Sequence, residues 1–282
     1  MRNTRPLAGM AAILCAAGLA LTGTAGANAT EVRAVDMPDH IVNGDFEAYP
    51  LGGTALPDPS DGNWTSVDPV NGEYYANGPV WRPVSGFDPA VFGWTSNQED
   101  GDNGAFGHDG EQRAHAVELQ LDLNGNTYAE ITAAQEGTAI RQTIRTIPGA
   151  VYTIRLDHTS VSRKHVDAMS VIVGGEKVPM TRIGVNGNGD KLGETSEIIR
   201  TTASNEPEIQ NDGSVNHEGQ WETYEGTWVA ESTETVFTFE AVESPSPIHG
   251  NLVDNISFEV SWPLTYDLQG GTGIIPNKEA GR

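Results

Sequence analysis

The chain has 282 residues, with 39 Asp and Glu against 16 Lys and Arg, a formal charge of −23. That balance repels nucleic acid and anionic membrane surfaces, so neither is expected as a partner. Hydrophobic residues at 37% allow a sizeable core, and 33 Gly with 16 Pro ask for many turns.

Met1 to about Ala29 reads as a secretory signal, residues 1–29. Arg2 and Arg5 form its basic start, Ala11–Leu21 its apolar run, and Ala27-Asn-Ala29 its small-residue cleavage site. The apolar run is too short to span a bilayer comfortably. Cys15 is the only cysteine, and Leu14 before it argues against lipidation. The mature chain would therefore be secreted or held at the cell surface, with no thiol chemistry, disulfide or cysteine-bound zinc.

Residues 30–40 form a polar lead-in. Ile41-Val-Asn-Gly-Asp-Phe-Glu47 is expected as a first strand. Residues 48–114 follow with little periodicity and much Gly, Pro, Asp and Asn, and they carry Trp64, Tyr74, Tyr75, Trp81 and Trp94. A stretch of that length reads as functional loop, its aromatics either ligand platforms or plugs for the ends of the fold.

Regular strand signals begin at His115. Val117, Leu119, Leu121 and Leu123 alternate with polar residues, and Asn124-Gly125 supplies a hairpin turn before Ala129, Ile131 and Ala133. Ile140–Ile144 precedes a Pro148-Gly149 turn. Tyr152, Ile154, Leu156 and His158 share one face of the next strand, and Met169–Val173 ends at Gly174-Gly175. The polar stretch 181–219 is expected as a long loop or insertion. Strands around Tyr224–Trp228 and Thr235–Ala241 lead to Gly250-Asn-Leu-Val-Asp-Asn-Ile-Ser-Phe-Glu-Val260, where Ile256, Phe258 and Val260 alternate with polar residues. With no persuasive helical period, the fold is all-β, and the strand number suits a jelly-roll β-sandwich spanning 41–260.

The Asn-Gly-x-Phe-Glu opening paired with the late Asp-Asn-Ile-Ser-Phe strand resembles the galactose-binding-like jelly rolls, which include many carbohydrate-binding modules. The order Glu-Leu, Tyr-Ala-Glu-Ile-x-Ala, Arg-Gln-Thr-Ile, Thr-Ile-Pro-Gly-Ala-Val-Tyr and His across 118–158 resembles bacterial surface modules. Past Val260, in the tail 261–282, Leu264-Thr-Tyr-Asp-Leu-Gln-Gly-Gly-Thr-Gly273 resembles the opening of an internalin-like β-grasp repeat of Gram-positive surface proteins.

The resemblance implies a structural Ca²⁺ where Glu47 of the first strand meets Asp254 of the last, with Asp45 ranked lower. Calcium takes several oxygen ligands from distant segments, as such a corner would supply. It also implies a glycan or polysaccharide as ligand. Tyr74, Tyr75, Trp81 and Trp94 would stack on sugar, and His158 and Arg163 would bond its hydroxyls. The alternative is an adhesin or stalk domain that binds a host surface protein. No nucleophile or metal-protease signature is found, so the chain is not expected to be an enzyme, and a glycan-active enzyme is the third reading.

Overall fold

The computed structural model describes residues 37–48, 64–76, 80–100, 113–122, 125–131, 137–161, 165–184, 188–202, 208–209, 215–216, 220–244 and 250–261. The expected signal segment 1–29, the β-grasp-like stretch past Ser261 and Arg163 lie outside these residues.

Strands β1 (Trp64–Asp68), β2 (Glu73–Tyr75) and β3 (Arg82–Pro83) are followed by one helical turn, α1 (Pro89–Phe92). Asp88 caps that turn by accepting from the Ala90 amide at 2.9 Å, and Gly93 ends it at φ 77°. Next come β4 (Thr95–Ser96), β5 (Val117–Leu121), β6 (Thr127–Glu130), β7 (Ala139–Arg145), β8 (Val151–Thr159), β9 (Asp167–Val173) and β10 (Glu176–Lys177). The remainder are β11 (Met180–Arg182), β12 (Asn188–Gly189), β13 (Thr195–Ser196), β14 (Ile199–Thr202), β15 (Glu208–Ile209), β16 (Val215–Asn216), β17 (Glu222–Val229), β18 (Glu234–Glu243) and β19 (Leu252–Ser261).

Two antiparallel sheets face one another as a jelly-roll β-sandwich. The larger runs β13-β11-β17-β8-β19-β6-β5-β1-β2-β3 and the smaller β12-β14-β9-β18-β7-β4, with β10 added to β9. β15 and β16 pair separately. The alternation in the sequence explains the layering: Ile154 and Leu156 of β8, Val171 and Val173 of β9, and Phe237 and Phe239 of β18 all turn inward and are buried. At the centre Phe258 stacks on Tyr152 with ring centroids 4.2 Å apart, and Phe237 meets it edge-on at 4.0 Å.

Three expectations are corrected. Ile41–Glu47 is not a strand but a hooked segment, because Asn43 (φ 51°) and Phe46 (φ 54°) turn the backbone out of the extended region. It still meets the last strand, through an Ile256 amide that donates to the Gly44 carbonyl at 2.8 Å. The neighbours of β19 are instead β6 and β8. Second, part of 48–114 is sheet: β1 lies inside the larger sheet, between β5 and β2. Third, 181–219 contributes strands to both sheets, with β14 paired to β9.

Gly44 is fixed by space. A Cβ there would lie 1.9 Å from the Ile256 carbonyl oxygen and 3.0 Å from the Ile41 side chain. Gly44→Ala is therefore expected to cost roughly 2 kcal/mol or more, as overpacking does. A shifted denaturant midpoint would measure the loss, and an unchanged midpoint would show that the hook does not hold the sandwich.

Candidate functional site

Inward-facing Val67, Val117, Leu119 and Ala129 belong to the core, so the residues alternating with them stand on the outer face of the larger sheet. Strand register then places their side chains in one array. Trp64 lies beside Gln120, Ser66 beside Glu118 and Tyr75, Glu118 beside Glu130, Gln120 beside Tyr128, and Glu130 beside Leu252. Aromatic groups bound this array on two sides. On one side Trp221 meets Tyr128 edge-on at 5.3 Å. On the other Trp64 stacks on Tyr75 at 5.7 Å, and Tyr75 meets Trp81 at 5.7 Å. The Arg113 guanidinium covers Trp81 at 4.5 Å and ends the column.

Arg113 is anchored by Asp68 at 3.3 Å and by Glu73. Burial opposes charge on Asp68, but hydrogen bonds from Asn71, the Val70 amide and Arg113 outweigh it and hold the carboxyl below its usual range. The column therefore has a rigid polar foot.

Between the two aromatic groups lies an acid pair. Glu118 and Glu130 are both buried, and one nitrogen, Gln120 Nε2, donates to Glu118 Oε1 at 3.0 Å and also to Glu130. Glu130 Oε1 accepts from the Gly250 amide at 2.7 Å. Burial pushes Glu118 up to about 7, and burial with the neighbouring Glu118 charge drives Glu130 well above the usual range. The two carboxyls stand opposite one another across the β5–β6 ladder, so the charge of Glu118 disfavours charge on Glu130. Burial, then the charges of Glu130 and Asp122, keep the Tyr128 phenol protonated far beyond its ordinary range.

The corner expected to hold a cation is built differently from two adjacent strands. Asn126 and Thr127 are neighbours at the start of β6. The Asn126 amide nitrogen donates to Asp254 Oδ2 at 3.1 Å, and the Thr127 backbone amide donates to Glu47 Oε1 at 2.8 Å. Glu47 and Asp254 are thus gathered on one turn. Burial, resisted by bonds from Asn126 and the Asn255 amide and reinforced by the charges of Asp157 and Glu47, raises Asp254 to about 7. Asp45 is exposed and accepts from the Glu47 amide at 3.3 Å, so it braces its own turn. Among the described residues no three His, Cys, Asp or Glu side chains converge as a metal-ligand set. A cation here would need carbonyl or amide oxygens beside Glu47 and Asp254.

The structure divides the expected ligand residues. Tyr75 and Trp81 stand on the outer face, though Tyr75 is buried between Trp64 and Trp81. Tyr74 pairs with inward-facing Val67 and so points away from that array. Trp94 is a correction: it is buried against Phe46 and Phe239, with its indole nitrogen donating to the Asn43 carbonyl at 2.8 Å. His158 is a second correction. It is fully buried, its Nε2 hydrogen-bonds Asn251 Oδ1 at 2.8 Å, and burial pulls the imidazole down to about 4. Neither touches the outer face. Glu118, Gln120, Tyr128, Glu130, Arg113 and Trp221 were missed because their alternation with apolar residues makes them look like ordinary solvated positions. The usable signal was two glutamates, a glutamine and a tyrosine crowded on the polar side of one hairpin.

No family model matches this chain, and no curated protein matches it. Among solved structures, it is similar to a family 35 carbohydrate binding module from Clostridium thermocellum, at 12% identity and TM-score 0.31, covering 50% of this chain and 85% of that one. It is similar to a structure titled for CBM4 at 12% identity and TM-score 0.34, covering 78% and 99%. A CBM22-1 xylan-binding domain from Paenibacillus barcinonensis aligns at 11% identity and TM-score 0.32, covering 60% and 86%. No residue role is carried over from them.

Buried carboxyls make stability depend on pH in a stated direction. Asp167, Glu222, Asp254 and Glu118 are each raised to about 7, chiefly by burial, from about 4 in an unfolded chain. Their contribution is full below pH 4 and is lost as pH rises through 7. His158 opposes them: lowered to about 4, it penalises the fold progressively as pH falls from about 6.5. Several carboxyls outweigh one imidazole. In chelator, melting is expected at higher temperature at pH 5.5 than at pH 7.5, and a steady fall on acidification would contradict these buried acids.

Proposed function

We propose that the chain is a secreted or cell-surface carbohydrate-binding module, non-catalytic and stabilised by Ca²⁺. The observation that carries the reading is the outer face of the larger sheet, where partly exposed Trp64 and Trp221 flank a polar floor of Glu118, Gln120 and Glu130. Sugars offer C–H faces to aromatic rings and hydroxyls to carboxylates and amides, and this array offers both at sheet spacing. The paired glutamates support binding over hydrolysis. Glycosidase carboxyls stand roughly 5–9.5 Å apart to admit the reacting bond, whereas these two are bridged by the single nitrogen Nε2 of Gln120. No helix among the described residues is long and apolar enough to cross a membrane.

The calcium reading rests on Asp254. Its carboxyl is desolvated, its partners are the amides of Asn126 and Asn255, and like charges lie close by. A hard cation would relieve all three. Glu47 and Asp254 would hold it directly, and its role would be to tie the N-terminal hook to the last strand.

A glycan array followed by calorimetry tests the binding reading. Trp64→Ala and Trp221→Ala are each expected to weaken a bound oligosaccharide by about 1–3 kcal/mol, the scale of a hot-spot contact, with little change in melting. A protein that binds host surface protein and no glycan would support the adhesin alternative.

For the metal, melting should rise with calcium by an amount equivalent to about 2.7 kcal/mol at a hundredfold excess over Kd. Asp254→Asn should erase that response. A melting curve indifferent to calcium and chelator would make Glu47 and Asp254 parts of an ordinary hydrogen-bonded corner.

A further inference from the structure

The strands that build the proposed site are poor in positive charge. Across residues 49–131, which supply β1 to β6, Arg82 and Arg113 are the only Lys or Arg. Arg82 pairs with Tyr74 at the edge of the sheet and belongs to the face turned away from the site. Arg113 is already neutralised by Asp68 and Glu73. Among the described residues the neighbouring strands add no cation beside the acid pair; Arg155, farther along the same face of β8, is paired with Glu225. β19 presents Leu252 and Asp254, β8 presents Asp157 and Thr159, and Thr223 of β17 follows Trp221. Asp122 also bears on the same phenol as Glu118, Glu130 and Asp254. An acidic sugar seated on the acid pair would be repelled by these carboxyls.

The acid pair also shows which donor it suits. A single nitrogen, Gln120 Nε2, already donates to both carboxyls. An ammonium is the same kind of centre with a third hydrogen and a full charge, and charge-assisted bonds of this type are roughly twice as strong as neutral ones. Resting on the carbohydrate reading, we propose that the ligand is a glycan with a protonated amine, a de-N-acetylated amino sugar, whose ammonium bonds Glu118 and Glu130. On binding, the carboxyls, held above their usual range by burial, give up protons to solvent while the ammonium keeps its own. Two carboxylates then face one cation, with the sugar ring between Trp64 and Trp221.

Calorimetric titration of the full chain in mildly acidic buffer tests this, with four probes: a glucosamine oligomer, its N-acetylated counterpart, a cello-oligosaccharide and an oligogalacturonate. The glucosamine oligomer is expected to bind at least about tenfold tighter than the acetylated and cello forms, equivalent to about 1.4 kcal/mol, and the oligogalacturonate not at all. Repeating the titration in buffers of different ionisation heat should reveal net proton release. The Glu118→Gln/Glu130→Gln variant keeps shape and hydrogen-bonding capacity, and it should lose both the preference and the proton release. Its melting curve checks that it folds.

Equal binding of the neutral oligomers would overturn the amine proposal and leave the carbohydrate reading standing. Failure of every oligosaccharide would remove both. A preference that persists in the double variant and vanishes with salt would also overturn the proposal, since a chain of −23 attracts any polycation from a distance.

Discussion

The sandwich depends on one close approach, the backbone of Gly44 against the bulge of β19. The Ile256 amide donates to the Gly44 carbonyl, and the space beside Gly44 admits no side chain. Three placements follow from that contact. Phe46 turns into the core against Trp94, Trp94 donates to the Asn43 carbonyl, and Glu47 reaches the start of β6. The register of β19 shifts between Asp254 and Ser257, where Asn255 takes φ 50°. A regular ladder would have left no amide at Ile256 to receive the hook. Conformational irregularity at this point links the hook to the last strand.

A second constraint is electrostatic. Most of the buried acids have amides, hydroxyls or other acids as neighbours. Asp68 and Glu222 are paired with Arg113 and Arg182, the latter through Nη2 at 2.6 Å, and even at Glu222 burial lifts the carboxyl to about 7. Removing charge from water without an opposite charge is costly, so protons or bound cations must complete such sites. The outer face and the Glu47–Asp254 corner are thus two versions of one physical situation. Each concentrates desolvated carboxyls where the sequence supplies no base.

Much of the fold was legible because the strands from Val117 onward obey a strict period of two. Ile154, Leu156, Val171, Phe237, Phe239 and Phe258 all face where the alternation sends them. The hidden parts were those whose order comes from contacts distant in sequence. β1 carries only Val67 as a buried hydrophobic, yet it sits between two strands because β2 and β5 pair with it on either side. Ile41–Glu47 alternates well enough to suggest a strand, but the Asn43 and Phe46 backbone is decided by Gly44 and Ile256. The site suffered from the same limit. Trp94 and Trp64 are indistinguishable by composition, and only the third dimension sends one to the core and the other to the outer face.

The edge of the larger sheet carries a consequence for association between chains. A long exposed edge is a template on which another strand can add. Here β3 is two residues long and ends in Pro83, which has no amide hydrogen to donate. At the opposite edge β13 is equally short. Each boundary offers so few aligned donors and acceptors that a second polypeptide gains little by extending the ladder. A broad sheet can therefore present its aromatic and acidic face to a ligand while its own borders discourage fibril-like growth.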